Sequence, residues 1–145
     1  MVGGTADFHH HGEPDGTSRG KLAESLDIEL KWSGIRQQFT GLMPEEDLPP
    51  APNVNPRYRW IWRAWHRLSL DRPYYGGGMG PPVPGNIPWW QLKLWAQHHG
   101  LTRSQFTMLD ICVRKMDEVY RTWIRDKMEA DRKALESQRR IDGPR

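Results

Sequence analysis

The 145 residues (17.0 kDa) leave room for one domain, and 37% hydrophobic content with 12 Pro and 14 Gly puts much of the chain outside any packed core. The apolar stretches are too short to span a bilayer, no charged segment with an apolar run behind Met1 marks secretion, and the single Cys112 excludes an internal disulfide and a cysteine-built zinc cluster, so the expectation is a small intracellular protein. The net charge of +3 conceals an acidic arm, −5 over residues 1–50, on a basic remainder, +8 over residues 51–145; such an arm masks a basic surface, contacts a basic partner, or merely keeps the chain in solution.

Residues 1–20 are dominated by Gly, Pro, Asp and Ser, show no apolar period, and read as disordered. Within this acidic arm (1–50), Leu22, Leu26 and Leu30 recur every four residues, which predicts a short amphipathic helix over 21–31, formed alone or on a partner. The five prolines of 43–56 predict an extended linker, and the domain boundary is placed there, giving a helical domain over 51–125. A first firm helix runs from Pro56, capped by Asn55, to about Leu70. Tyr58, Ile61, Trp62, Trp65 and Leu68 share its apolar arc, and Arg59, Arg63 and Arg67 lie opposite with Trp60 beside them.

Residues 71–88 hold too many Gly and Pro for a helix or a central strand and predict an ordered loop, with Tyr74, Tyr75, Met79, Val83 and Ile87 able to dock on the core. The second helix starts at Pro88 and stops at Gly100. Trp89, Leu92, Trp95 and Ala96 form one face, and Trp90 and Leu94 a second stripe that needs a second partner. The third helix opens with the capping box Thr102-Arg103-Ser104-Gln105. Phe106, Leu109, Cys112, Val113, Met116, Val119, Tyr120, Trp123 and Ile124 then follow one helical period, with Asp110/Arg114 and Asp117/Arg121 as i, i+4 pairs. Past Ile124 the stripe fails, so residues 126–145 read as a charged tail. The fold class expected is all-α: a three-helix domain with an ordered Gly/Pro-rich loop, a disordered N-terminal arm and a charged helical C-terminal tail.

Chemistry-bearing residues form no reaction centre. His9-His10-His11 lacks further ligands, so no metal is assigned. His98 and His99 suit a helix C-terminus, where the dipole favours positive charge; His66 falls on the exposed side of its helix with no acid spaced to pair with it. Cys112 reads as a core thiol. No nucleophile–base set, paired carboxylates or cofactor motif is present, which argues against an enzyme and for no cofactor. The tryptophans are the better clue. Trp60, Trp90 and Leu94 exceed what a small helical core needs, and with Arg59, Arg63, Arg67, Tyr74 and Tyr75 they have the composition of a protein–protein hot spot. The Arg/Trp helix also suits a nucleic-acid backbone, so a small nucleic-acid-binding accessory protein remains an alternative.

The segment WRAWHRLSLDRPYYGGGMGPPVPGNIPWWQLKLWAQHHGL followed by ICVRKMDEVY resembles the tail assembly chaperones of long-tailed bacteriophages and prophages. The matching residues are Trp62, Trp65, Leu68, Ser69, Arg72 and Pro73; Gly78-Met79-Gly80, Ile87-Pro88-Trp89, Trp95-Ala96 and Gly100; and Met116, Asp117 and Tyr120. They cover roughly residues 57–123; Gly85-Asn86 looks like a small insertion, and the first 50 residues match nothing in the pattern. The resemblance implies a non-enzymatic protein that holds the aggregation-prone tape measure protein, recruits tail tube protein and leaves before the tail matures. It also implies work in the host cytoplasm and, in many phages, an upstream tail assembly chaperone extended by frameshifting. A structural virion protein is the further alternative.

Overall fold

Prolines and caps set where the helices begin, and glycine sets where one of them ends. The computed structural model describes residues 16–76 and 78–143. In chain order these form α1 (Gly16–Phe39), a 3-10 turn at Glu45–Asp47, a second at Pro56–Tyr58 leading into α2 (Arg59–Ser69), β1 (Tyr74–Tyr75), β2 (Val83–Pro84), α3 (Trp89–His98) and α4 (Arg103–Asp142). Asn55 accepts a hydrogen bond from the Arg57 backbone N–H at 3.0 Å, so the first turn is capped as its sequence suggests. Pro88 stands at the N-cap of α3. That helix closes with Gly100 at φ +62°, Gly100 N–H bonding the Gln97 carbonyl and Leu101 N–H the Ala96 carbonyl. This is the Schellman arrangement, which needs a left-handed residue that glycine adopts without strain. Thr102 and Gln105 make both bonds of the capping box at the head of α4.

The fold is mostly helical, as expected, but it differs from a three-helix domain in two ways. Four α-helices are present among the described residues, and the Gly/Pro loop carries a small antiparallel ladder pairing Tyr74 with Pro84 and Tyr75 with Val83. The larger difference is α1. The stretch expected to be a short helix in a disordered arm belongs to a 24-residue helix packed along α4. Leu22 and Leu26 are fully buried in the same cluster as Ile61, Ala64, Trp65, Leu68, Ile87, Leu92, Leu109, Cys112, Val113 and Met116. Each such leucine stabilises the fold by about 1.5–3 kcal/mol through burial, enough to recruit a segment whose composition looks unpromising. The core therefore draws on residues before the expected boundary at residue 51. His9-His10-His11 and the rest of residues 1–15 lie outside the described residues.

The connector 43–56 is tied down by polar contacts. Arg36 donates to the Pro49 carbonyl at 2.7 Å and pairs with Glu45, and Ser25 Oγ donates to the Asn53 carbonyl at 3.1 Å. At the other end, α4 runs 40 residues. Its buried positions stop at Asp117, and residues 129–142 are all exposed, braced by the i, i+4 pairs Lys133–Glu129 and Arg132–Glu136. None of the described helices is long and apolar enough to cross a membrane.

Candidate partner-binding site

A buried polar knot holds the helices that carry the site. Asp117, only 2% exposed, accepts three hydrogen bonds at 2.8 Å each: Arg72 Nη2 and Trp65 Nε1 on Oδ1, and the Ile87 backbone N–H on Oδ2. Arg72 also donates to the Gly85 carbonyl at 2.7 Å and to Ser69 Oγ at 3.0 Å. Its guanidinium lies 4.6 Å from the Tyr120 ring centroid and 5.4 Å from that of Trp65. One ion pair thus fixes the end of α2, the base of the hairpin, the entry to α3 and the middle of α4. A buried charge is tolerated only when paired and hydrogen-bonded in this way. Burial, with Tyr74 close by, pushes the Tyr120 phenol above its ordinary 10.0, while Arg72 pulls it the other way. Asp117 was expected as an exposed partner of Arg121. Instead Arg121 reaches Asn86 Oδ1 at 3.3 Å, and Asp117 turns inward.

The hairpin leans on this knot. Gly85 N–H donates to the Pro73 carbonyl at 2.8 Å, and the Tyr75 ring lies flush against Gly85, where a Cβ would stand 2.9 Å from Tyr75 Cδ2. Tyr74, Tyr75, Met79 and Val83 stay exposed, whereas Ile87 is buried. Of the loop residues expected to dock, only Ile87 enters the core.

On α3 the second apolar stripe is laid bare. Trp90 is 59% exposed and Leu94 57%. Together with Leu68, Gln91 and Trp95, and with Arg67, Asp71, His98 and His99 at the margin, they line a cleft of about 530 Å³ between α3 and the end of α2. Arg67 and Asp71 pair at 3.0 Å while exposed, so their charges largely cancel and contribute little to stability. His99 stacks on Trp95 with ring centroids 3.8 Å apart, its Nδ1 3.0 Å from the Trp95 carbonyl. Gln91 Nε2 donates to the Asp71 carbonyl at 3.0 Å, and its buried Oε1 has no partner among the described residues. The wall of this cleft is apolar, its rim nearly neutral, and one acceptor is unused.

The expected surface residues therefore divide. Trp90, Leu94 and Arg67 meet in the cleft. Arg59 and Arg63 line a different depression with Trp62, Val54 and Glu29. Tyr74 and Tyr75 sit on the hairpin. Trp60 is half-buried and packs against the core cluster, so it does not stand free beside the arginines. Trp89, expected on the core face of its helix, is 50% exposed, with Phe106 edge-to-face against it at 5.8 Å. Sequence reasoning missed Gln91, Trp95, His98 and His99 as cleft residues. The signal was available: 90, 94 and 98 continue one helical row, and 91 and 95 the next.

His66 also departs from expectation. Its Nε2 is 2.7 Å from Glu29 Oε2 on α1, and its Nδ1 is 2.8 Å from the Trp62 carbonyl. A neutral imidazole can donate only one of these bonds, whereas the imidazolium donates both. Burial lowers its pKa, but the Glu29 hydrogen bond and charge and the Trp62 carbonyl outweigh that and raise it above the ordinary 6.5. Cys112 is buried on α4 as expected. No cluster of metal-binding side chains occurs among the described residues.

No curated protein and no solved structure matches the chain. The sequence model of the phage tail assembly chaperones matches residues 37–122, more than half of the chain. That span holds the connector, α2, the hairpin, α3 and the packed part of α4, so it contains both the Asp117 knot and the Trp90–Leu94 cleft. Among the residues that carried the resemblance, Trp65, Ser69, Arg72, Ile87, Asp117 and Tyr120 take part in that one knot, and the others do not. The chain belongs to the phage tail assembly chaperone family.

Proposed function

We propose that this chaperone holds an amphipathic helical segment of the tape measure protein in the Trp90–Leu94 cleft and helps bring tail tube protein to it. The observation that carries the reading is the cleft itself. Two large apolar side chains, each more than half exposed, flank a half-buried tryptophan within the matched span. A solvent face does not need such residues, whereas a helix-in-groove surface does. The row 90, 94, 98 presents a ridge at the spacing that receives a partner helix.

The role is holding rather than catalysis. A client bound through an open apolar cleft leaves by competition, without a chemical step, which suits a protein that works in the host cell and departs before the tail matures. An upstream tail assembly chaperone is a further partner in this scheme. Arg59, Arg63, Tyr74 and Tyr75 lie outside the cleft and would serve a second partner surface.

The test is titration of peptides covering the tape measure protein against the full chain over a salt series. Apolar groove binding holds nearly constant from low to high salt. Binding to phosphates falls steeply, as expected of the alternative nucleic-acid reading. Substituting Trp90→Ala should weaken peptide binding by about 30-fold, the effect of losing a hot spot of about 2 kcal/mol. Peptide binding that ignores Trp90→Ala and Leu94→Ala contradicts the proposal.

A further inference from the structure

The family match ends at residue 122, and α4 runs on to Asp142. Every residue from 129 to 142 is exposed, Leu135 at 63% and Ile141 at 79%. The extension is not uniform around its axis. At about 100° per residue, Glu129, Arg132, Lys133, Glu136, Arg139 and Arg140 fall on one side. There Lys133–Glu129 and Arg132–Glu136 pair within the helix. The other side prolongs the face that buries Leu109, Val113 and Met116 in the body, and it carries Met128, Ala134, Leu135 and Ile141. α1 does not cover it, because α1 meets α4 along Val119, Thr122 and Trp123, about a third of a turn away. Two charges interrupt the apolar side, Lys127 and Asp131. They stand at i, i+4 yet do not pair: Lys127 Nζ lies over the Trp123 ring, 5.0 Å from its centroid, and Asp131 has no ion pair or hydrogen bond among the described residues.

We infer that this side of α4, over residues 127–142, seats a second copy of the chain, the two helix ends lying antiparallel about a two-fold axis between Ala134 and Leu135. Reversed end to end, the side is its own complement, which is what a two-fold contact requires. About that axis Lys127 faces Asp142 of the second copy, Met128 faces Ile141, Asp131 faces Gln138 and Ala134 faces Leu135, each contact occurring twice. Charge meets opposite charge, apolar meets apolar, and carboxylate meets amide. Gln138 donates one Nε2 hydrogen to Asp142 of its own helix at 3.2 Å and keeps the second for Asp131 of the other copy. The same side set parallel and in register stacks Lys127 on Lys127 and Asp131 on Asp131, so charge selects the antiparallel arrangement. The overlap is about 24 Å of helix, short of a standard interface, so the pairing is weak and reversible. At the low chain concentrations of an unfolding measurement the protein is a monomer. The inference does not rest on the Trp90–Leu94 reading, whose cleft is built by α2 and α3.

Sedimentation velocity on the full chain from about 5 to about 500 µM tests it. The average mass should climb from that of one chain toward that of two. Leu135→Glu should hold the protein at one copy throughout, with far-UV circular dichroism unaltered because Leu135 is exposed. Lys127→Glu and Asp142→Lys should each weaken the association at least about tenfold. Mixing those two variants should restore it, because Glu at 127 then faces Lys at 142 and Asp142 faces Lys127. A mass of one chain at every concentration overturns the inference. A dimer that L135E leaves intact also overturns it and moves the contact to another surface, such as the exposed Trp32, Ile35 and Phe39 of α1. A mixture no tighter than its components rules out the antiparallel register. Trp90→Ala with Leu94→Ala should leave the mass profile unchanged, so failure here and failure of the cleft reading are separately visible.

Discussion

Substituting Asp117→Asn removes the charge at the centre of the knot while nearly preserving shape. The carboxylate takes Arg72 and Trp65 on one oxygen and the Ile87 N–H on the other. Asparagine offers one acceptor oxygen, and its NH₂ then faces a donor. The Arg72 guanidinium is left buried without its counter-ion, and one donor is orphaned. Breaking a buried pair from one side costs about 3–5 kcal/mol, a large fraction of the stability of an ordinary domain. With a urea slope of about 2 kcal/mol/M, the midpoint should fall by about 2 M. Urea unfolding followed by tryptophan fluorescence reads this directly, since Trp65 is one of the donors. Adding Arg72→Met removes the stranded charge, so R72M/D117N should be more stable than D117N alone. Arg72→Lys should not substitute for the wild type, because a point charge cannot reach Gly85, Ser69 and Asp117 at once. A loss below about 1 kcal/mol for D117N, or strictly additive effects in the double variant, would refute the knot as the organising contact.

Other outcomes follow from the same geometry. Trp90→Ala and Leu94→Ala should each change unfolding free energy by no more than about 0.5 kcal/mol, because both side chains are largely exposed, and far-UV circular dichroism should be unaltered. Gly100→Ala should cost about 1 kcal/mol, because φ +62° penalises a Cβ although nothing crowds it; thermal unfolding checks this. The raised pKa of His66 means the folded state holds its proton longer than the unfolded one. The stability it adds is complete below about pH 6.5 and is lost as pH rises through the folded value. Urea midpoints across pH 5–9 should show that decline in the wild type, and Glu29→Gln should flatten it. Deleting residues 129–145 should reduce helical signal but leave the melting temperature unchanged, since described residues 129–142 are exposed.

Much of this architecture is legible in the sequence because it is local. Asn55-Pro56, the Thr102–Gln105 box and Gly100 set helix ends through contacts within a few residues, and they appear where expected. The arc from Leu109 to Met116 follows from period alone. What the sequence hides is long-range. The i, i+4 rule pairs Asp117 with Arg121 on the surface, and nothing local reveals that Arg72, 45 residues away, is the real partner. His66 lacks a nearby acid in sequence because its acid comes from α1, 37 residues earlier. α1 itself was readable only as three spaced leucines, since its other residues carry no stripe and burial comes from the body it docks on. The cleft was half legible. Trp90 and Leu94 stand out in the sequence as surplus apolar residues, but helical period alone puts Trp95 on the core face and Trp60 off it, whereas Trp95 lines the cleft and Trp60 packs on the core cluster.

The most direct measurement is co-expression with the tape measure protein from the same genome, comparing wild type with the W90A/L94A double variant. The wild type should bring the tape measure protein into the soluble fraction and stay bound to it through a high-salt wash, and the double variant should do neither while remaining folded. A tape measure protein that stays insoluble with the wild type, or is rescued equally by the variant, would contradict the assignment of the Trp90–Leu94 cleft as the client site.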